Sequence, residues 1–160
     1  MSERILNEIE QLLRSAGVTF RKLEHEPTQT SEDSARVRGE ELGVGAKALL
    51  LRTDDCFRLL VLPADRKLDS GAVRRHLGVK SIRFATPDEL LEKTGLVPGS
   101  VPPFGEPILP FELYADVSIG SKYDRVAFNA GLLTVSIIMP AAAWEALAKP
   151  KRFAFAKARE

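Results

Sequence analysis

Ile5, Leu6, Ile9, Leu12 and Leu13 recur three and four residues apart, the spacing of one helix face, and Gly17 supplies a stop. This predicts an amphipathic helix over 3–16. VTFRKLEH (18–25) alternates and reads as a strand. The polar run HEPTQTSED then turns into a helix over 31–42, capped by Thr30 or Ser31, with Glu32 and Asp33 at the positive dipole end and Gly43 and Gly45 at its close. AKALLLRT (46–53) and CFRLLVLP (56–63), parted by Asp54-Asp55, predict a hairpin of two buried strands. Asp69 or Ser70 caps a short helix that ends at Gly78, and SIRFA (81–85) is a short strand.

TPDELLEKTG (86–95) carries the clearest local signal: Thr86 as N-cap, Pro87 at the first helical position, Glu89 closing a capping box, and Gly95 beyond the end. The next stretch, GLVPGSVPPFGEPILP (95–110), has three glycines and five prolines, which excludes helix and central strand. FELYADVSI (111–119), RVAFN (125–129) and LLTVSIIM (132–139) read as strands. Pro140 opens a last helix, and RFAFA (152–156) is either a strand or a packed tail. Hairpins and helices mix without a repeated βαβ unit. The order predicts one α+β domain spanning 1–160: a curved, mostly antiparallel, barrel-like sheet flanked by helices.

Composition narrows the class. At 160 residues and 44% hydrophobic, the chain has enough apolar content for a core and too much for disorder. The single Cys56 excludes an internal disulfide and suits a reducing, cytoplasmic setting. The N-terminus lacks the apolar stretch of a secretory signal, and no apolar run reaches the ~20 residues of a spanning helix. Neither a membrane nor DNA is an expected partner. The net charge of +1 conceals an uneven distribution: 66–83 sets six cations against one acid, 149–160 five against one, and 86–116 six acids against Lys93. The two basic segments are either an entrance for a nucleic acid or ordinary solvated faces.

Candidate chemistry is sparse. No phosphate-binding glycine motif or H-E-x-x-H is present, and two histidines with one cysteine make a poor metal site, so no metal or cofactor is expected. Cys56, at the mouth of a buried strand, reads as an inert small hydrophobe, and His76 as a surface residue. The Gly/Pro loop either offers backbone N–H groups as an oxyanion hole or anion nest, or is a stiffened connector. Lys47 either snorkels to the rim of its strand or points into a cleft. Capping and turn formation account for Thr28 and Thr30 without any function, and Asn129 before Gly131 reads equally as a turn residue.

Taken in order, H-E-P-T-Q-T (25–30), L-G-V-G-A-K-A-L (42–49), G-L-V-P-G-S-V-P-P-F-G (95–105), V-A-F-N-A-G (126–131) and L-T-V-S-I-I-M (133–139) resemble the YbaK / prolyl-tRNA synthetase-associated domain family of aminoacyl-tRNA deacylases, over roughly 18–147. The resemblance implies that Lys47 is the family's functional lysine and helps anchor the 3′-terminal nucleotide. It places Gly95, Pro98, Gly99, Pro103, Phe104 and Gly105 in the loop that shapes the pocket, with Gly99 offering its backbone to the ester. His25, Thr28 and Thr30 fall on the pocket's first segment. Some relatives discriminate substrates with a histidine in the late strands, where this chain offers only Asn129 and Ser136; Gly131 follows as a further pocket residue. Hydrolysis in the family needs little side-chain acid–base chemistry, because the 2′-hydroxyl of the terminal adenosine helps position water.

The implied function is a freestanding deacylase, unattached to a synthetase, that clears mischarged aminoacyl-tRNA at its 3′ end. A synthetase or tRNA-channelling complex would be a further partner, and Arg74 and Arg75 the RNA contacts. The competing readings are a non-catalytic tRNA- or protein-binding module on the same fold, and hydrolysis of another activated acyl ester.

Overall fold

A computed structural model describes residues 2–159; Met1 and Glu160, the latter counted in the charge of the last segment, lie outside them. Among the described residues the chain forms, in order, α1 (Ser2–Ser15), β1 (Arg21–Glu24), α2 (Ser31–Arg38), β2 (Ala46–Thr53), β3 (Cys56–Pro63), β4 (Arg66–Leu68), α3 (Ser70–Leu77), β5 (Ile82–Phe84), α4 (Pro87–Thr94), β6 (Glu112–Asp116), β7 (Arg125–Asn129), β8 (Val135–Pro140), α5 (Ala141–Ala148), β9 (Lys151–Phe153) and β10 (Ala156–Ala158). Among the described residues no helix is long and apolar enough to cross a membrane.

Several expected elements form as the pattern requires. The β2–β3 hairpin pairs Ala46 with Pro63 through to Thr53 with Cys56. Helix α4 has its capping box, with the Thr86 hydroxyl accepting from Glu89 N and the Glu89 carboxylate accepting from Thr86 N. Helix α2 begins at the Thr30 cap but stops sooner than expected. Gly39 takes a left-handed φ of 67° and its N–H bonds back to Ala35 and Arg36, so the chain leaves the helix there and makes a separate 3-10 turn at Leu42–Val44.

The strands form three sheets ordered β5-β2-β3-β6-β9, β1-β8-β7 and β4-β10. Five of the seven strand pairs are antiparallel; β6 pairs parallel with both β3 and β9. The sheets share a core without closing into a barrel.

Alternation sets the layers. In β2, Ala46 and Leu50 join the main cluster with α1, α4, Phe104 and Trp144, while Leu51 joins a second cluster with Leu60, Leu62, Val73 and the tail residues Phe153 and Phe155. The centre of the five-stranded sheet is therefore covered on both faces, which explains the unbroken apolar runs of β2 and β3. The three-stranded sheet packs Val126, Phe128, Val135 and Ile137 on the same main cluster. An isolated bridge from Gly45 to Ala127 joins the two sheets where β2 begins.

The tail is anchored by a buried carboxylate. Asp116 is 2% exposed. Its Oδ1 accepts from Phe155 N at 2.7 Å and Ala156 N at 2.8 Å, and its Oδ2 from Ser118 N at 2.9 Å and from the Ser118 hydroxyl. Burial pushes this carboxyl upward, but the bonds from Ser118 and the tail amides outweigh it and hold the group below its ordinary value. Asp116→Asn should lower stability by about 1.5–3 kcal/mol, the worth of bonds to a charged group, and expose the tail to limited proteolysis. Because the folded-state value is depressed, the contribution is complete above the unfolded-state value of about 3.9 and fades as pH falls. Urea denaturation of the two proteins should accordingly converge in acid.

Candidate functional site

A cavity of about 210 Å³ opens at the seam between the two larger sheets. Thr28, Gln29 and Thr30 form one side and Ser31, Ser34 and Arg38 of α2 another; Gly45, residues 46–49 of β2, Ala64, Gly99, Val101 and residues 127–129 of β7 complete it. Pockets for drug-sized ligands run to roughly 300–1,000 Å³, so this one encloses only a small group.

Its polar wall is a hydrogen-bond network centred on Arg38, a buried residue at 9% exposure. Arg38 Nε donates to Ser136 Oγ at 2.9 Å and Nη2 to Asn129 Oδ1 at 3.1 Å. Asn129 and Ser136 are cross-strand partners on β7 and β8, so the register itself sets them side by side. Asn129 Nδ2 donates to the Gly99 carbonyl at 2.9 Å and faces Thr28 Oγ1 at 3.4 Å, while the Ser34 hydroxyl donates to Thr28 Oγ1 at 3.0 Å. His25 Nε2 lies 2.8 Å from Ser136 Oγ, and its Nδ1 lies 2.8 Å from the Glu26 carbonyl. That carbonyl can only accept, so Nδ1 carries the proton. The Ser136 hydroxyl proton then faces two acceptors, His25 Nε2 and Asn129 Oδ1 at 3.1 Å. Burial lowers the Arg38 guanidinium to about 10, with Glu40 opposing, so Arg38 stays a cation at neutral pH.

Lys47 stands at the rim, half-buried, and has no ion-pair partner within 4 Å among the described residues. Burial lowers its ammonium value first and Arg159 lowers it further, against Glu32. Gly99 has φ 90°, a conformation that favours glycine, and Asn129 fixes its carbonyl. Its N–H has no hydrogen-bond partner among the described residues.

The structure thus brings Lys47, Gly99, Thr28, Thr30 and Asn129 to one cavity, with His25 and Ser136 behind its wall. Other expected site residues lie elsewhere, because the loop is built from packing. Gly95 is the left-handed cap of α4, its N–H bonded to Leu91 O at 2.8 Å. Pro98 is exposed outside the lining. The Pro103 carbonyl accepts from Trp144 Nε1 at 2.8 Å, and Phe104 is 1% exposed in the main core. Gly105 lies so close to the backbone that a Cβ there would meet Phe111 O at 2.7 Å. Gly131 donates its N–H to Ser100 O at 2.9 Å, locking the loop to the β7–β8 turn.

Arg74 and Arg75 are exposed on α3, whose Val73 packs on the second cluster, outside the cavity lining. Cys56, expected as an inert small hydrophobe at the mouth of a buried strand, is exposed, because it stands at the hairpin turn; among the described residues its side chain meets Thr53 Oγ1. His76 stacks on Phe153 at 3.9 Å. No three His, Cys, Asp or Glu side chains come together among the described residues.

Sequence reading missed Arg38 and Ser34. Their signal is the 30-34-38 spacing, which gives α2 a polar face; the buried residues of this helix are Ser34 and Arg38 rather than apolar ones.

Residues 25–147 match the family described as the aminoacyl-tRNA editing domain. The chain is 36% identical over 145 residues to the "Multifunctional Ser/Thr-tRNA deacylase ProXp-y" of Escherichia coli (strain K12), a match spanning 88% of this chain and 86% of that protein. It is also 31% identical over 102 residues to a "Proline--tRNA ligase" of Shouchella clausii, covering 64% of this chain and only 18% of the ligase. A solved structure described as a candidate trans-editing enzyme for prolyl tRNA synthetase superposes with TM-score 0.79 at 25% identity, over 96% of this chain and 97% of that one. A second, of a hypothetical protein, reaches TM-score 0.82 at 23% identity over 93% and 99%, and speaks to the fold alone.

Asn129→Ala removes the acceptor of Arg38 Nη2 and the donor that holds the Gly99 carbonyl. It should lower stability by about 1–3 kcal/mol for each buried group left unpaired. Thr30→Ala removes only a helix cap and should cost about 1 kcal/mol. Urea denaturation of both variants checks the order.

Proposed function

The chain belongs to the aminoacyl-tRNA editing domain family, and we propose that it removes a small amino acid from mischarged tRNA by hydrolysing the 3′-terminal ester in trans. The observation that supports this best is the cavity itself. It gathers a half-buried lysine, a fixed polar wall and Gly99, whose N–H has no partner among the described residues, around a volume of about 210 Å³. An acyl group of a few atoms fits inside, while the adenosine stays at the mouth.

Each residue has a role in this reading. Lys47 holds the phosphate of the terminal nucleotide as a fixed positive charge. The Gly99 N–H faces the oxyanion that develops as water adds to the acyl carbon. Thr28 and Asn129 meet the amino acid side chain, with Thr30 at the mouth. His25, Ser136 and Arg38 position Asn129. The loop residues Gly95, Pro98, Pro103, Phe104, Gly105 and Gly131 hold Gly99 in place.

An aminoacyl ester is already activated, so no strong nucleophile is required. Water adds, the ester C–O bond breaks, and free amino acid and a 3′-hydroxyl leave. Orientation and one preorganised oxyanion donor, worth ~3–4 kcal/mol, supply much of the acceleration.

Serine and threonine are the first substrates to try, given the hydroxyl and amide groups of the wall and the name of the Escherichia coli relative. A charged-tRNA substrate goes with a cytoplasmic setting, which is part of this reading. The match to a proline–tRNA ligase raises contact with a synthetase or tRNA-channelling complex as a further proposal. Arg74 and Arg75 are left as candidate contacts to the tRNA body.

A deacylation screen with seryl-, threonyl-, alanyl- and cysteinyl-tRNA tests the reading, and at least one ester should turn over. Lys47→Ala should lower kcat/KM roughly 10- to 150-fold, the equivalent of a charge-assisted contact of ~1.5–3 kcal/mol. Salt-sensitive tRNA binding without turnover of any ester would instead make this a binding module.

A further inference from the structure

Residues beyond 147 lie outside the segment that matches the family, yet they reach the site. Phe153 and Phe155 are buried, Asp116 clamps the amides of Phe155 and Ala156, and β10 pairs with β4. This run covers the face of β2 whose outer end carries Lys47. The next residue after β10 is Arg159. Its Nη1 donates to the Ala64 carbonyl at 3.1 Å and its Nη2 to Glu32 Oε2 at 3.0 Å. Ala64 lines the cavity, as does Ser31, the neighbour of Glu32.

We propose that Arg159 and Lys47 form a two-cation seat for a phosphodiester of the RNA strand entering the cavity, and that Glu32 is an internal stand-in anion which the phosphate displaces. The proposal rests on the deacylase reading, and its new members are Arg159 and Glu32. Three observations support it. Arg159 is tied to Ala64, which lines the cavity with Lys47, and to Glu32 beside it, and it lowers the ammonium value of Lys47; two cations set this way are relieved by a bound anion. The guanidinium is held by a backbone carbonyl through one nitrogen, which leaves the other for an exchangeable acceptor. The Arg159–Glu32 pair is exposed, at 43% and 58% of the two side chains, so it is screened and easily replaced.

The test compares two serine esters, one of adenosine and one of adenosine 5′-monophosphate, with wild type, Arg159→Ala and Glu32→Gln. Arg159→Ala should raise KM for the phosphate-bearing ester about 10-fold, leave kcat within about twofold, and leave the adenosine ester unchanged, since only a charge-assisted contact is lost. Glu32→Gln should lower KM for the phosphate-bearing ester by about 2- to 5-fold, because the competing anion is gone. A purely structural strap predicts otherwise: both variants would weaken both esters alike, with lower melting temperatures, and that result overturns the seat. If wild type hydrolyses no ester and no charged tRNA, the deacylase reading fails on its own. The seat is then read by titrating adenosine 5′-monophosphate into each protein and following amide shifts. Binding that Arg159→Ala weakens and Glu32→Gln strengthens upholds it, and absence of binding overturns it.

Discussion

The Arg38 guanidinium is the contact on which the site depends. One buried cation accepts the cost of desolvation and uses it to join three parts of the chain. Its Nε reaches Ser136 on β8, its Nη2 reaches Asn129 on β7, and its own helix α2 forms a wall of the cavity. A buried charge is tolerated only where hydrogen bonds satisfy it, and here the acceptors are a hydroxyl and an amide rather than a carboxylate. The wall is therefore cationic and fixed, which favours a developing oxyanion nearby and disfavours a second buried positive charge.

Asn129 carries this order into the Gly/Pro loop. Its amide bonds to Arg38 on one side and to the Gly99 carbonyl on the other. Gly99, whose N–H has no partner among the described residues, is thus oriented by a residue that also lines the cavity. Pro103, Phe104 and Gly105 hold the far half of the loop through the Trp144 contact and the close approach to Phe111. The cavity wall and the Gly/Pro loop thus rest on one connected set of bonds, so a change at one end is felt at the other.

Much of this was legible in the sequence, unevenly. The β2–β3 hairpin and α4 follow from local rules, since uninterrupted apolar runs and a complete capping box leave the chain few alternatives. Lys47 and the Gly/Pro loop were legible through their spacing and the family resemblance. The early end of α2 at Gly39 was not, because Gly39, Gly43 and Gly45 are equivalent until the 3-10 turn is seen. Strands β4 and β10 were missed as a pair because each is three residues long and stabilised by its partner rather than its pattern. Arg38 was missed because a buried arginine declares itself only when its acceptors, 91 and 98 residues away, come into place.

Those separations bear on when the site exists during folding. His25 meets Ser136 across 111 residues, and Arg159 meets Glu32 across 127. Contacts of this span carry the largest loop-closure entropy and form late relative to local hairpins and helices. The hairpin and α4 can form early on local information, whereas the cavity needs both sheets docked and α2 in place. A nascent or partly folded chain therefore lacks the cavity and its polar wall. The side chains of the wall and the glycine beside them therefore take up their places in one step, when the two sheets dock.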